Sequence, residues 1–591
     1  MTDIKNLITD NIDVWTSAIK KRNATGRGSS KKIELTGIKK LRELILELAV
    51  RGKLVPQDSS DEPASALLDK IAVEKAQLIS DKVIKKAKGV DASDMPEVSF
   101  ILPDGWSLST LTKLIVNSAE HIVDGPFGSN LKATEYVDSG VPLIRIQNVD
   151  RNIFKNNGIQ YLTEDKAKSL SRHSFVAGDI VLNKLGEPTG KACIIPAFLT
   201  HGIIVADLIR VRVNEELHNK QFLIYCINSP LVARQFSGLA KGVTRQRVNL
   251  SQVRSLKIPL PPLAEQQRIV AKVDELMALC DQLEQQTEQS LSAHQTLVEV
   301  LLEALTNCDS TEDFQASWQR IAEHFDVLFT TEHSIEQLKQ TILQLAVIGK
   351  LVPQNPNDEP ASVLLEKIAE EKAQLIADKK IKKHPKVVPI GPVMSLPDSW
   401  VDIVVQDFAD IKLGSTPSRT ESEYWNGDIH WVSSGEVANK TILDTKEKIT
   451  QEGYDNSSTP IIPARSLLMA IIGQGKTRGQ TALLGIDACT NQNVAAFVFN
   501  QNYVVPEFVQ LWAQSKYDSH RGDGHGGAQP ALNGKKVRSF RFGLAPLAEQ
   551  HRIVAEVERL MALCEQLKVR LSDAQTTQLH LADAVVTNAL N

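Results

Sequence analysis

Two stretches of the chain occur twice, and the order of the copies constrains the fold more than any other feature. Residues 41–86 recur at 338–383 with 33 of 46 positions identical, and residues 255–286 recur at 539–570 with 19 of 32 identical. The chain therefore reads A, X, B, A′, Y, B′, and the inserts X and Y resemble each other only faintly. A duplicated scaffold tends to place its halves about a pseudo-two-fold axis. We expect two like frames that present two unlike domains, an arrangement that suits a bipartite target.

Segments A (41–86) and A′ (338–383) are predicted to be helical hairpins. In A, apolar residues at helical spacing stop at Gly52 and Pro56 and resume from about Pro63, and A′ repeats this pattern. Residues 1–20 could form a short helix. The stretch from Lys20 to Lys32 is rich in Lys, Arg, Gly and Ser, and we interpret it as a mobile connector rather than a DNA-binding arm.

Segments B and B′ are predicted to be long helices with a heptad seam. The seam is interrupted by a polar layer at Thr287, Ser290 and His294, and about 43 residues of helix would span roughly 65 Å. Two such helices would most simply bury their seams against each other. The spacer residues predicted for these seams are Ile269, Val273, Leu276 and Leu283 in B, and Ile553, Val557, Leu560 and Leu567 in B′. Beyond the polar layer the heptad predicts burial at Leu297, Leu301 and Ala304 in B, and at Ala574, Gln578, Leu581 and Val585 in B′.

The two ends of the chain predict a cyclic arrangement. The chain opens with A and stops directly after B′, so A has no B before it and B′ has no A after it. We expect hairpin A to lie beside the end of B′, as A′ lies beside the end of B. The predicted fold class is thus α+β, with two globular domains separated by two long antiparallel coiled-coil helices in a circularly permuted, pseudo-two-fold repeat.

Composition excludes several classes of protein. The chain has 591 residues, 42% of them apolar and 23% charged, and a net charge of −4, so it is globular and is not a bulk polycation. The six cysteines show no metal-like pairing and suit a reducing cytosol. No apolar run is long enough for a signal peptide or a membrane span. We therefore expect a cytoplasmic protein.

Inserts X and Y are predicted to be α+β domains with short strands. The expected strands are 142–149, 179–185, 192–196 and 202–213 in X, and 429–433, 466–473, 480–484 and 494–499 in Y. The predicted division of the chain is an N-terminal extension and linker at 1–37, hairpin A at 38–100, domain X at 101–262, spacer helix B at 263–308, the second repeat region at 309–395, domain Y at 396–546, and spacer helix B′ at 547–591.

Loops in X and Y carry side chains suited to recognising DNA. Each domain has a Gly-rich loop near its start and a basic, glutamine-bearing loop just before B or B′, and no acid occurs from Leu217 to Ala264. Arg can grip guanine, and Gln or Asn can grip adenine, through paired hydrogen bonds in the major groove. The candidate DNA-binding residues are Phe127, Ser129, Asn130, Arg145, Gln147, Asn148, Lys184, Lys241, Thr244, Arg245, Gln246 and Arg247 in X, and Thr416, Ser433, Ser434, Gln474, Lys476, Arg478, Gln492, Gln529, Asn533 and Lys535 in Y.

Catalytic and metal-binding patterns are incomplete. The stretch 472–477 resembles a phosphate-binding loop, but Ala470 occupies the place of its first glycine. His294, His520 and His525 lack partners at ligand spacing, so we predict no metal site. No methyltransferase motif or complete cofactor-binding glycine fingerprint occurs, and we predict no catalytic residue in this chain.

The layout resembles the specificity subunit (HsdS) of type I restriction-modification systems. Copies of Ala-Val-x-Gly-Lys-Leu-Val-Pro-Gln and Pro-Leu-Ala-Glu-Gln-x-Arg-Ile-Val are similar to that family's shared segments. The stretches 414–417, 424–435, 472–475 and 490–492 are similar to one of its target-recognition domains. The resemblance covers nearly all of residues 38–591 and looks closest to the type IB branch.

This resemblance implies a non-catalytic subunit that binds double-stranded DNA. X and Y would be target-recognition domains that read the two halves of an asymmetric site. The A segments and helix faces would bind two modification (methyltransferase) subunits, and two restriction subunits, which are ATP-dependent translocases and nucleases, would join the complex. S-adenosylmethionine, ATP and Mg are expected on those partners and no cofactor in this chain.

Two functions of other classes remain open at this point. One is a self-contained DNA-modifying enzyme, which would methylate or cut DNA unaided. The other is a coiled-coil scaffold that uses X and Y to bind protein, which would shift no duplex even with modification subunits present.

Overall fold

The computed structural model describes residues 4–22, 32–85, 100–127, 130–186, 188–239, 246–308, 310–473, 477–522 and 532–591. The chain divides into two compact units. Unit 1 contains residues 1–290 and 573–591, and unit 2 contains residues 291–572. Each unit therefore holds one hairpin, one insert, the first part of one long helix and the last part of the other.

Unit 1 begins with helices that pack on hairpin A. Trp15 and Ala18 are fully buried, and the Gly37 amide donates to the Ala18 carbonyl at 2.8 Å. Two short helices form where one was predicted, and the two ends of the predicted connector, β1 and β2, pair with each other. Residues 23–31 lie outside the described residues, so the mobility of the connector stays a prediction. The elements are α1 (Ile4–Asp10), α2 (Ile12–Ser17), β1 (Lys20–Arg22), β2 (Lys32–Glu34), α3 (Thr36–Val50) and α4 (Ala64–Ser80).

Insert X forms two four-stranded sheets. Their strand orders are β11-β10-β13-β4 and β8-β5-β12-β9, and β3 pairs with β14 where the chain enters and leaves the domain. The elements are β3 (Ser107–Thr110), α5 (Leu111–Leu114), α6 (Ser118–His121), β4 (Ile122–Asp124), β5 (Val141–Ile144), β6 (Val149–Asp150), β7 (Ile153–Phe154), β8 (Gln160–Leu162), α7 (Glu164–Ser169), β9 (Ser174–Val176), β10 (Ile180–Asn183), β11 (Ala192–Ile194), β12 (His201–Ile204), β13 (Leu208–Val211), α8 (Lys220–Asn228), α9 (Pro230–Leu239), α10 (Leu250–Arg254) and β14 (Lys257–Leu260).

The predicted strand 202–213 is wrong in one respect. It is two strands, β12 and β13, that belong to different sheets. Apolar residues occupy both strands, and the less buried residues 205–207 between them include only one charged residue, Asp207, so the apolar pattern does not clearly show the break.

A single helix, α11 (Leu263–Thr306), leads from unit 1 into unit 2. Unit 2 then repeats the hairpin, preceded by two helices. Its elements up to the second insert are α12 (Thr311–Glu323), α13 (Phe325–Leu328), α14 (Glu332–Val347) and α15 (Ala361–Ala377).

Insert Y forms a five-stranded sheet in the order β16-β23-β20-β21-β18 and a three-stranded sheet in the order β19-β17-β22. The elements are β15 (Val401–Val404), α16 (Val405–Phe408), β16 (Asp410–Leu413), β17 (Trp425–Val432), β18 (Lys440–Ile442), β19 (Glu447–Ile449), α17 (Gln451–Asp455), β20 (Leu467–Ala470), β21 (Thr481–Leu484), β22 (Cys489–Thr490), β23 (Val494–Val498), α18 (Pro506–Ser515), α19 (Tyr517–Gly522), α20 (Gly534–Ser539), β24 (Arg541–Leu544) and the second long helix α21 (Leu547–Leu590).

X and Y share a common core topology in spite of their unlike sequences, although the pairings of β9 in X and β18 in Y have no counterpart in the other domain. The order β11-β10-β13-β4 in X corresponds to β21-β20-β23-β16 in Y, and the parallel pair β5–β12 corresponds to β17–β22. The closing pair β3–β14 likewise corresponds to β15–β24. The two inserts are therefore two versions of one α+β domain, as the fold class predicted only in outline.

The cyclic arrangement of the repeats is confirmed. In unit 1 the Lys53 ammonium donates to the Leu590 carbonyl at the end of α21, at 2.7 Å. In unit 2 the equivalent Lys350 donates to the carbonyls of Thr306 and Cys308 at the end of α11. A cation at a helix C-terminus satisfies free carbonyls and the negative end of the helix dipole. The same lysine of the repeat thus closes both junctions.

The end of one long helix and the start of the other belong to one core in unit 2. Val298 and Leu302 of α11 cluster with Ile335 of α14 and with Ile553 and Val557 of α21. The two helices therefore enter this core from opposite ends of their sequences, as an antiparallel arrangement requires.

The buried face of each long helix drifts away from the predicted heptad. Along α11 the buried positions run from Ile269 to Leu305, which is 36 residues or about ten turns of 3.6. A strict 3.5-residue repeat falls behind by one residue over that length. Leu297, predicted to lie on the seam, is therefore 51% exposed, while its neighbour Val298 is buried.

Helix α21 drifts in the same way from Ile553 to Ala589. Leu581 is exposed where Ala582 is buried, and Ala574 is exposed as well. Of the eight predicted spacer residues, five are buried, and three are half-buried: Leu283, Leu560 and Leu567. Among the described residues no helix is long and apolar enough to cross a membrane.

Candidate nucleic-acid interface

The two domains gather their loops through the same backbone hydrogen bonds. In X the Lys184 amide, just after β10, donates to the Asp207 carbonyl at 2.9 Å. In Y the Ile471 amide, just after β20, donates to the Asn493 carbonyl at 2.9 Å. The loop after the central strand is therefore fixed to the same neighbour in both domains.

The segment just before the last short helix joins the same site. The Val248 amide donates to the Lys184 carbonyl at 3.0 Å, and the Leu532 amide donates to the Ile471 carbonyl at 3.0 Å. Asn249 and Asn533 follow, and each caps the helix after it, α10 or α20, by accepting a backbone N–H at 2.9 Å. Asn533 is thus a helix cap, and its exposed amide nitrogen stays a candidate donor.

A third pair of bonds adds the loop after β5 or β17. The Val205 amide donates to the Ile144 carbonyl at 3.2 Å, and the Asn491 amide donates to the Val432 carbonyl at 3.0 Å. Each domain therefore brings together the ends of several strands that are far apart in sequence. Loops clustered in this way on a rigid sheet are where proteins usually place binding residues.

The Gly-rich loops pass very close to this site. A Cβ atom on Gly125 would lie 2.1 Å from the Val205 carbonyl oxygen, and one on Gly414 would lie 1.9 Å from the Thr490 oxygen. Only glycine fits at either position, because a real Cβ is not found under 3.0 Å from another heavy atom. The close approach of the backbone therefore explains why glycine occupies these two positions in the Gly-rich loops.

Phe127 of domain X is an exposed aromatic residue supported from beneath. The Lys184 ammonium lies 4.2 Å from the centre of the Phe127 ring and 2.9 Å from an Asp124 carboxylate oxygen. Phe127 is 51% exposed, whereas Lys184 is 2% exposed. Phe127 remains a candidate contact, and the prediction of Lys184 as a direct DNA contact is corrected, because its charge is buried and paired within the domain.

The prediction that Asn148 contacts DNA is also corrected. It is fully buried, its side-chain oxygen accepts the Arg145 amide at 2.9 Å, and its nitrogen donates to the carbonyls of Lys155 and Asn157. Glu436 performs the same task in Y, where it accepts the Ser433 amide at 2.9 Å. Asn148 therefore shapes the loop and does not present its amide to a ligand.

The other described candidates in X lie around the same loops. Arg145 and Gln147 both donate to the Gly158 carbonyl, at 2.8 and 3.2 Å. Arg247 is paired with Asp207, and the carbonyl of half-buried Gln246 accepts the Gly186 amide at 3.1 Å. Exposed Asn130 follows the Phe127 turn, its amide donating to the Phe127 carbonyl at 3.2 Å.

In Y the described candidates come from five segments, and a side-chain hydrogen bond joins two of these segments. The Thr416 hydroxyl donates to the exposed Gln492 side chain at 2.6 Å, and the Ser433 hydroxyl donates to Glu436 at 2.8 Å. Ser434 is half-buried beside it, and Lys535 is exposed on α20. Half-buried Arg478 lies in the turn before β21. The roles of all these side chains stay predictions.

The candidates that lie outside the described residues are Ser129, Lys241, Thr244, Arg245, Gln474, Lys476 and Gln529.

The phosphate-loop-like stretch and His294, which the sequence pattern raised as candidates, can be located in the structure. Residues 471–480 connect two antiparallel strands, β20 and β21, whereas a phosphate-binding loop leads from a strand into a helix. No cluster of three His, Cys, Asp or Glu side chains that could hold a metal occurs in the part of the chain that is described. His294 instead contacts the Val327 carbonyl at 3.1 Å.

One cluster in Y was missed by the sequence predictions. The Arg419 guanidinium lies 4.0 Å from the Trp425 ring centre and 5.3 Å from that of Trp431, and it pairs with Glu447 through both carboxylate oxygens. This hydrogen bonding lowers the pKa of Glu447 and raises that of Arg419. The two tryptophans lie on one strand, β17, and the pairing register of that strand shifts between Trp425 and Ile429. Regular strand spacing would place them about 20 Å apart, so the sequence contains no signal for a contact between their rings.

Comparisons with known proteins agree with this arrangement. A family model described as "Type I restriction modification DNA specificity domain" matches residues 129–293 and 397–573. The chain is 38% identical over 614 residues to the type I restriction enzyme EcoAI specificity subunit of Escherichia coli, and 37% identical over 615 residues to the EcoEI specificity subunit of the same species. In both cases the alignment covers 100% of each chain.

Among solved structures, the HsdS subunit from Thermoanaerobacter tengcongensis is 18% identical, with 83% of this chain and 98% of that chain covered and a TM-score of 0.38. The family itself is established by sequence. Two matches to the specificity domain, on two copies of one topology, together with full-length relatives, show that the chain belongs to the family of type I restriction-modification specificity subunits.

Proposed function

We propose that this chain selects the DNA sequence on which a type I restriction-modification complex acts. Domains X and Y would each recognise one half of an asymmetric, split site in double-stranded DNA. The observation that carries this proposal is that X and Y gather equivalent loops through the same backbone bonds but place different side chains there, such as Phe127 against Thr416 and Arg145 against Ser433. A shared framework with unlike exposed side chains is what two readers of different sequences need.

The charge of the two domains differs. X carries 19 Lys and Arg against 13 Asp and Glu, whereas Y carries 14 against 16. Phosphate contacts supply most of the sequence-independent affinity for DNA. We therefore infer that X contributes more of that affinity and that Y depends on a few placed side chains.

The long helices would set the distance between the half-sites. Helices α11 and α21 have 44 residues each, or about 66 Å at 1.5 Å per residue. Joining two weak readers by such supports makes the second contact intramolecular, so affinity rises steeply only when both half-sites are present at the right spacing. This gives specificity without catalysis.

The chemistry would belong to partner subunits. Relatives of this chain are named as specificity subunits of type I restriction enzymes. We infer that two modification subunits, which carry S-adenosylmethionine, bind this chain and methylate adenine after extruding it from the duplex. Two restriction subunits that use ATP and Mg would complete the assembly, and this chain would itself be non-catalytic.

The test is to map methylated adenines across the genome of cells that carry the complete system, and of matched cells that lack this chain. We expect methylation at one split, asymmetric sequence only when the chain is present. Methylation by the purified chain alone would instead favour a self-contained enzyme. A chain that shifts no duplex even with its modification subunits would favour a protein scaffold.

A further inference from the structure

We propose that Arg419 reads a guanine in the half-site bound by domain Y. The inference rests on the proposed function and assigns a specificity-determining residue and the base it recognises. It starts from the position of the Arg419 guanidinium over two tryptophan rings.

The loop that carries Arg419 is held rigidly at the recognition end of the domain. The Trp431 indole N–H donates to the Ser415 carbonyl at 3.1 Å, and the Trp425 indole N–H donates to the Ser418 carbonyl at 3.1 Å. The two indole rings pack edge to face with centres 5.2 Å apart. Loop 414–419 thus lies along the rings of Trp425 and Trp431, and this contact fixes the position of Arg419 at the end of the loop.

The guanidinium itself is ordered before any ligand arrives. One face stacks on Trp425, and Glu447 accepts hydrogen bonds from both Nη atoms, one of them at 3.0 Å. Glu447 is fixed in turn, because it lies directly opposite Trp431 across the β17–β19 pair. An immobilised long side chain costs roughly 1.5–2 kcal/mol of rotamer entropy, and here the fold has already restricted it.

The remaining edge of the guanidinium is free to recognise a base. Arg has five N–H donors in a planar fork, and the end-on pairing with Glu447 uses one donor on each Nη atom. This leaves Nε–H and the neighbouring Nη–H side by side, and Nε has no hydrogen-bond partner among the described residues. That pair of donors matches the O6 and N7 acceptors of guanine in the major groove.

Exposure and position support a ligand-facing role. The Arg419 side chain is 55% exposed although three groups hold it. Arg419 is the last residue of loop 414–419. This loop begins at Gly414, which packs on Thr490, and its Thr416 contacts Gln492. An exposed ion pair on its own contributes only about 0–1 kcal/mol to stability, so stability gives little reason to build this support around one arginine.

The experiment uses the assembled complex of this chain with its modification subunits. Binding is measured on duplexes that carry the mapped target and on the same duplexes with each base pair changed in turn. The variants are Arg419→Ala, which removes the side chain, and Arg419→Lys, which keeps the charge beside Glu447 but cannot donate a fork. Arg465→Ala is the matched control. Arg465 is also exposed and paired with a glutamate, Glu507, but it precedes β20, at the end of that strand away from the site.

We expect wild type and Arg465→Ala to discriminate at every position of the target. Both Arg419 variants should lose about 5- to 150-fold of discrimination at a single G·C pair, all in one half-site, and keep it elsewhere. Equal weakening at all positions would show a phosphate contact and overturn the inference, as would unchanged discrimination. Absence of sequence-specific binding by the wild-type complex would instead overturn the proposed function. Arg419→Lys keeps the test valid if Arg419→Ala fails to fold.

Discussion

Glu47 lies on hairpin A and is the buried acid that joins it to domain X. It is 1% exposed, and one of its carboxylate oxygens accepts hydrogen bonds from Arg51, at 2.7 and 3.0 Å, and from Arg234 of α9, at 2.6 Å. Its counterpart in the second hairpin is Gln344, which is exposed. The same position of the repeat is therefore an ionic link in unit 1 and an open surface in unit 2.

We expect Glu47→Ala to weaken the link between α3 and α9 by about 2 kcal/mol. Breaking a buried ion pair costs about 3–5 kcal/mol when the partner stays buried. Here the Arg51 and Arg234 side chains are 19% and 57% exposed, so water recovers part of that cost. Loss of a desolvated carboxylate offsets a further part.

Hydrogen exchange measures this local change without assuming that the whole chain unfolds in one step. A loss of 2 kcal/mol corresponds to about 30-fold faster exchange of the protected amides in α9. The control, Gln344→Ala, should change exchange in unit 2 by less than about 0.5 kcal/mol. Unchanged protection of α9 in Glu47→Ala, or equal effects of the two variants, would refute the role of Glu47 as an ionic link between hairpin A and domain X.

Three further results are expected. Replacing Arg245 and Arg247 together by Ala should weaken DNA binding by at least ~1–3 kcal/mol if either residue contacts a base, and unchanged affinity would remove that loop from the interface. His520 is 3% exposed and burial lowers its pKa to about 3, so the imidazole is neutral in the folded protein. The stability of domain Y should therefore be full above about pH 6.5 and fall as acid protonates the unfolded chain, and His520→Phe should flatten this fall in thermal unfolding. Inserting seven helical residues after both Gln286 and Arg570 adds about 10.5 Å and should lengthen the spacer of the methylated sequence by up to about 3 base pairs; an unchanged spacer would contradict the role of the helices as a ruler.

The repeats made much of the frame predictable. The hairpins, the long helices and the cyclic closure follow from the order of the copies and from apolar spacing, and the structure confirms them. Lys53 and Lys350 show why this works, because one residue of the repeat makes the same cap at both junctions. The buried face of each long helix was predictable only near the start of the helix. The difference between a 3.5-residue repeat and 3.6 residues per turn accumulates along the helix.

The site was predicted at the level of loops and less well at the level of side chains. The sequence places Asn148 and Lys184 in the right loops but does not show that both are buried, because burial depends on partners such as Asp124 that lie far away in the sequence. Arg419 was missed for the same reason, since its support from Trp425 and Glu447 exists only once β17 and β19 pair. The shared topology of X and Y was equally hidden, because backbone bonds define it and side chains do not.

The most direct test of the account replaces domain Y by a second copy of domain X. The exchange would run from Trp106 to Leu260 in place of Trp400 to Leu544, since β3–β14 and β15–β24 are equivalent closing pairs. Methylated adenines are then mapped in cells that carry the rest of the system. Two like readers on two like frames should methylate a symmetric sequence, made of the X half-site and its inverted copy with the spacer unchanged. Methylation of the original asymmetric sequence by this variant would contradict the account.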